Sequence, residues 1–349
     1  MDTIITAILA ILVFGVLIFI HELGHFLFAR LFKITVNEFS IGMGPKIFKH
    51  KSKKTGIVYA IGCVPFGGYV AMAGEDGESD DPNSFDKKPA WQRLIVTVAG
   101  ASVNIIAGFL AMLIFTSLSN YGGTTVAQFK DKADTGFAVS SSESGLRVGD
   151  RIVEIDGSKV GIADDVSYEI MRRGTKPVDV VVIRDGERVT LYDVTFPLVE
   201  SEGEQFGMMD FLVFREEKTV GSVLKYSWFK STLIVRMCWE TLYDLLTGRY
   251  GINAISGPVG ISGAIGDAAR SGLPTFLYIF SLISINLGIM NMLPIPALDG
   301  GRSVTLLFEI ITKKRIPPRI EAVINGVALL ILLLFSVFIM IKDIVQIIV

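Results

Sequence analysis

Cysteine and histidine are scarce in this chain of 349 residues, which has two of the first and three of the second. A disulfide-stapled framework or a cysteine-rich zinc fold is thereby excluded, since neither Cys63 nor Cys238 has a partner at ligand spacing. Charge is also thin, at 19% of residues with a net of -2, and the basic residues form no single patch. Nucleic acid is therefore not an expected partner. What fills the chain instead is apolar: half the residues are hydrophobic and the mean hydropathy is +0.52. A soluble enzyme of this length is less apolar, so the composition predicts a polytopic α-helical membrane protein with polar insertions.

Crossing a bilayer takes about 20 residues of helix. Four stretches qualify, at roughly 4–30, 92–119, 273–293 and 321–347. The first has no basic leader and no small-residue cleavage site, so it reads as a retained span. Lysine and arginine crowd the loop between the first two spans, from Arg30 to Lys88, and the loop before the fourth, from Arg302 to Arg319. The positive-inside rule makes both loops cytoplasmic. Both termini and residues 120–272 are then expected outside, in a multi-pass membrane protein.

The first span ends in His21-Glu22-Leu23-Gly24-His25, an HExxH pattern. Positions i and i+4 of a helix share a face, so both imidazoles can hold one Zn²⁺ while Glu22 acts as general base on water. Charged and imidazole groups at membrane depth are costly to retain without a purpose. A catalytic zinc needs a third protein ligand and an open fourth position. His50 lies in the basic loop, and the second and third spans hold no acidic residue before Asp299 in Leu293-Pro294-Ile295-Pro296-Ala297-Leu298-Asp299-Gly300-Gly301. Asp299 is the candidate, with an N-cap for the helix that follows as the alternative role.

Between the first spans, Glu38 to Met72 reads as strands with turn and bulge signals at Gly62, Pro65, Gly67 and Gly68. This hairpin is too apolar for a simple surface ribbon and too short to span. It either dips toward the metal, where its edge could pair with an extended substrate, or lies on the surface. Residues 75–89 read as an acidic solvated loop. Gly100, Asn104 and Gly108 form one stripe on the second span, suited to close helix packing or, at Asn104, to the active site. Residues 221–272 mix tryptophan, tyrosine and charge in the manner of an amphipathic interfacial segment ending in a turn at Ser256-Gly257-Pro258-Val259-Gly260.

Gly145-Leu146-Arg147-Val148-Gly149-Asp150-Arg151-Ile152-Val153-Glu154-Ile155-Asp156-Gly157 resembles the central signature of a PDZ domain, here over 124–205. Such domains bind peptide ends by strand addition. Together with HExxH in the first span and Leu298-Asp299-Gly300 after the third, this resembles the site-2 protease family of intramembrane zinc metalloproteases, over nearly the whole length. Within it, the chain is similar to the bacterial regulators of sigma-factor release, which implies a bacterial cytoplasmic membrane as its location. The resemblance implies His21, His25 and Asp299 as Zn²⁺ ligands and Glu22 as base. It also implies Asn291 and the re-entrant loop Pro65-Phe66-Gly67-Gly68-Tyr69 as substrate contacts, and Gly257-Pro258-Val259-Gly260 as the loop before the third span. Substrates would be single-span membrane proteins, such as a pre-cleaved anti-sigma factor or remnant signal peptides. The chain departs from well-known members in having room for one PDZ domain where they have two, and in Gly100-Ala101 where Gly-Pro is common. The rival readings are a membrane zinc protease whose third ligand is glutamate, and a scaffold with a closed structural metal site.

Overall fold

The computed structural model of the protein describes residues 3–75, 77–130, 140–201, 204–249 and 257–348. In chain order these form α1 (Thr3–Leu31), β1 (Val36–Lys51), β2 (Val58–Met72), α2 (Ala90–Leu118), β3 (Gly122–Phe129), β4 (Arg151–Ile155), β5 (Ser158–Lys159), α3 (Ala163–Arg173), β6 (Val178–Arg184) and β7 (Glu187–Val194). There follow β8 (Leu198–Ser201), β9 (Glu204–Gly207), β10 (Phe211–Arg215), α4 (Val220–Leu246), α5 (Pro258–Ser271), α6 (Leu273–Asn291), α7 (Asp299–Thr312) and α8 (Pro318–Ile348). The chain divides into two compact units, one of Met1–Ala111 with Ile234–Val349 and one of Met112–Leu233.

Among the described residues, four helices are long and apolar enough to cross a membrane: Ile4–Leu31, Ala90–Leu118, Leu273–Asn291 and Arg319–Val345. They are apolar all round, so their outward side chains need lipid rather than water. On α1 the inward stripe is Ala10, Val13 and Leu17, packed with Ile265 of α5. At the same helical spacing the stripe continues to His21 and His25, so the packed face becomes the chemical face. Pro258 opens a helix rather than lying in a turn, and α5 joins the core of the first unit. This corrects the expectation of a turn at Gly257-Pro258-Val259-Gly260, while Ser256 lies outside the described residues. Asp343 of α8 accepts the amide of Gly260 at 3.1 Å in the first turn of α5.

Small residues let the spans approach closely. A Cβ on Gly24 would lie 2.6 Å from the carbonyl oxygen of Ala99, and one on Gly288 would lie 2.7 Å from that of Ala101. Ser281 and Ser284 of α6 donate from Oγ to the carbonyls of Gly108 and Asn104, each at 2.7 Å. The stripe on α2 thus serves packing at Gly108 and, one turn at a time, leads down to the histidines at Asn104 and Gly100.

The hairpin has an uneven register. Phe39 pairs with Val70 and also with Tyr59, and Ser40 with Tyr69 and also with Ala60. Residues 38–41 therefore have strand partners on two sides, and among the described residues 68–72 pair with β1 alone. The other edge of 68–71 has no strand partner among the described residues, and at Met72 the amide donates to Glu75 Oε2 at 3.3 Å.

The second unit is a sheet in the order β10-β3-β4-β6-β7, with β5 beside β4. Its core is Val126, Leu146, Ile152, Ile155, Val166, Ile170, Val180, Val182, Val194 and Phe211. Alternation in β6 sends Val178, Val180 and Val182 inward. The tight turn at Asp185-Gly186 has both residues at positive φ, 53° and 87°, which suits a two-residue hairpin. Arg184 donates to both carboxylate oxygens of Asp150 at 2.7 Å, fixing the segment 145–150 to the sheet. The sheet runs past residue 205 to take in β10.

Candidate metal centre

Three side chains from two elements converge. One helical turn apart on α1, His21 and His25 bring their Nε2 atoms to 3.1 Å from each other. Asp299 Oδ2 lies 3.0 Å from the first and 3.3 Å from the second. For a tetrahedral site with bonds of about 2.0–2.1 Å, neighbouring ligand atoms stand about 3.3 Å apart. The triangle is therefore the size a zinc ion requires. Asp299 Oδ2 is buried without a hydrogen-bond donor of its own. Such a group is costly unless paired or metal-bound.

The backbone before Asp299 explains its reach. Leu298 is the extended residue ahead of α7, and Asp299 is its first helical residue, not its cap. Gly300 lies against the carbonyls of Met292 and Leu293, where a Cβ would come within 2.4 Å. Only glycine allows this fold-back.

Around the ligands stand groups that orient them. His25 Nδ1–H donates to the carbonyl of Val96 at 2.8 Å, which leaves Nε2 with its lone pair facing the triangle. The Asn104 amide is 3.4 Å from His21 Nδ1, and its Oδ1 is buried without a donor. A ligating His21 carries its proton on Nδ1, so the amide must present Oδ1 there, and turning it over meets both needs. Gly100 forms the floor: a Cβ there would stand 2.4 Å from His25 Nε2 and 2.8 Å from His21 Nε2.

Glu22 projects beside the ligands into a cavity of about 410 Å³, lined by His21, His25, Asp299, Thr97, Glu75, Arg302 and the hairpin residues Gly68 to Met72. A Cβ on Gly68 would be 3.0 Å from Glu22 Cγ, so the strand passes directly over the acid. Of the sequence-predicted substrate residues whose side chains are described, Gly68 and Tyr69 line the cavity, whereas Asn291 and Gly67 are not among its lining. The side chains of Pro65 and Phe66 are outside those described.

Arg302 and Glu75 escaped the sequence reading, in which one was a topology charge and the other part of a solvated acidic loop. Arg302 Nη1 donates to Glu75 Oε1 at 2.6 Å, and Nη2 donates to the Glu75 carbonyl. The pair ties the end of the hairpin to α7 at the cavity wall. The available signal was spacing, since Arg302 follows Asp299 by three residues and so shares its face of the helix.

The model of peptidase family M50 matches residues 9–335. The chain is 36% identical over 339 residues to a protein of Clostridium perfringens provisionally named a zinc metalloprotease, covering 97% of this chain and 98% of that one. It is 30% identical to the regulator of sigma-W protease RasP of Bacillus subtilis, covering 95% and 97%. It is also 30% identical to the zinc metalloprotease RasP of Bacillus licheniformis, with the same coverage.

Proposed function

The chain belongs to peptidase family M50, the site-2 type of zinc metalloprotease, and from that premise we propose that it cuts single-span membrane proteins within their transmembrane segment. The observation that carries this is the shared cavity: the open edge 68–71 lines the same space as His21, Glu22, His25 and Asp299. A helical substrate shields its amides, so it must unwind to expose a scissile bond. The edge strand takes up the freed backbone hydrogen bonds as the peptide enters, at a depth where unpaired amides are costly. The hairpin is accordingly membrane-re-entrant, with Tyr69 beside the substrate and Asn291 and Pro65 to Gly67 holding it farther from the reacting bond.

His21, His25 and Asp299 would hold the Zn²⁺ that the zinc metalloprotease relatives imply. Zinc at such a site supplies a Lewis acid that polarises a carbonyl and makes water more acidic. Glu22 takes a proton from the attacking water and delivers it to the leaving amine. The carbonyl of Val96 and the amide of Asn104 keep the two imidazoles in the tautomer that faces inward. Gly68 leaves room for the substrate chain over Glu22.

The sheet unit is a single PDZ domain, inserted between the second and third spans, that receives peptide ends or limits access to the core. Support comes from the fold order of β4, α3, β6 and β7 and from the tethered segment 145–150. Positive loops put the active site toward the cytoplasm and this domain and both termini outside. The sigma-W regulator among the relatives points to a pre-cleaved anti-sigma factor as substrate, and remnant signal peptides fit the same chemistry. Mass spectrometry of the products from a reconstituted single-span substrate tests the proposal. New termini inside the span support it, and termini confined to the aqueous flanks overturn it.

A further inference from the structure

The helix that presents Asp299 is built inside out. Gly300, Ser303 and Leu306 of α7 are buried, and its charged groups also point into the protein. Arg302 meets Glu75, and Glu309 meets both Arg93 and Arg315. Outward, at i, i+3, i+4 and i+7, stand Val304, Leu307, Phe308 and Ile311, exposed by 49%, 45%, 47% and 79%. A helix facing water has the opposite arrangement.

The end of this helix carries a second feature. Lys313, Lys314, Arg315 and Arg319 follow within a few residues, all exposed, with no acidic residue between Glu309 and Glu321. Arg315 is bound to Glu309 and to the carbonyl of Asp86. Among the described residues no carboxylate pairs with the side chains of Lys313, Lys314 or Arg319. Directly afterwards α8 enters its apolar span, whose Val323, Val327, Leu330 and Leu334 are exposed by 55% or more. The basic cluster therefore stands where a span meets the headgroups. Trp91, at the start of α2 and 52% exposed, packs edge-on to Phe32 just past the end of α1, which is the aromatic placement expected at that depth. With 14 residues, α7 is about 21 Å long, too short to cross some 30 Å of hydrocarbon.

We propose that α7 lies in the membrane interface, its apolar face in the acyl boundary and Lys313, Lys314 and Arg319 on anionic headgroups, and that this seat sets the position of Asp299 against His21 and His25. Charge and continuity favour lipid over a protein occupant: the apolar strip runs on into the lipid-facing surface of α8, and it ends in cations rather than in a mixed-charge rim. The inference rests on the membrane-protein reading given above, but its test does not depend on proteolysis.

Full-length protein with Cys63 and Cys238 replaced by serine carries one nitroxide at Phe308→Cys, Ile311→Cys or, as a reference, Leu333→Cys. It is placed in vesicles of phosphatidylcholine with about one third phosphatidylglycerol, enough to give an anionic surface. If labels at 308 and 311 collide with oxygen as the 333 label does, and are shielded from a water-soluble nickel chelate, the helix is in lipid. Nickel access at 308 and 311 with 333 shielded overturns the proposal alone, as does shielding from both probes, which would mean a protein cover. Nickel access at 333 would instead overturn the membrane reading. For the headgroup part, zinc release to a chelator should be about threefold slower with phosphatidylglycerol than without, and K313E/K314E should lose that difference. Equal release from both vesicles by the native protein would remove the coupling to Asp299.

Discussion

Replacing Gly100 by alanine tests whether the histidine triangle is a metal site. The added Cβ would be 2.4 Å from His25 Nε2 and 2.8 Å from His21 Nε2, where ordinary contact begins at 3.4 Å. The imidazoles must therefore shift by about 1 Å and 0.6 Å, several times the roughly 0.2 Å that a metal–ligand distance tolerates. The helix itself should gain, because alanine is favoured over glycine by about 1 kcal/mol within a helix. G100A is thus expected to fold with unchanged or higher thermal stability while zinc affinity falls by at least about 100-fold, the upper end of what disturbing a ligand's surroundings costs. Zinc per protein, measured by mass spectrometry across a chelator series, gives the affinity, and circular dichroism gives the fold. G15A on α1, where a Cβ meets nothing within 4 Å, is the control and should bind zinc normally. Wild-type zinc affinity in a folded G100A would refute the site as drawn.

Asn104→Ala should weaken zinc binding by about 10- to 100-fold with the fold intact, since it removes only the group that orients His21, and the same chelator series reads it. Gly68→Val places a branched side chain toward Glu22 and should lower kcat/KM at least about tenfold with zinc content unchanged, because disturbing a positioned contact by 1 Å can cost about 100-fold. Unchanged kcat/KM would dissociate the hairpin from substrate. In the hairpin, the Tyr69 hydroxyl and Lys46 hold the Glu38 carboxyl below its usual 4.5. A depressed folded value adds stability above pH 4.5 that is lost as pH falls through it, so Glu38→Gln should flatten the acid side of the melting-temperature profile. An unaltered profile would show that the cluster carries none of the pH dependence.

The parts legible in the sequence were those set by local pattern. Hydropathy alone placed four helices, because lipid imposes length and composition on each span separately. The His21–His25 spacing, and Asp299 as the first acid along the second and third spans, marked a candidate metal site for the same reason. What escaped depended on what stands across from a residue. Gly100 looked like packing, and only the meeting of α2 with α1 shows that its missing Cβ makes room for two ligand atoms. Glu75 and Arg302 lie 227 positions apart, so neither predicts the other. In α5, a glycine-rich start suggested a turn, but Ile265 and the carboxylate of Asp343 bring that segment into the core as a helix. The direction of α7 was also hidden, since an amphipathic pattern gives two faces without saying which is inside.

The most direct measurement of the account is cleavage of a single-span substrate by the purified protein reconstituted in vesicles, wild type beside Glu22→Gln, with zinc measured on both. Glu22 is the base and not a ligand, so the account predicts cleavage within the span by the wild type, none by the variant, and equal zinc in the two. Cleavage by Glu22→Gln at the wild-type rate would contradict it.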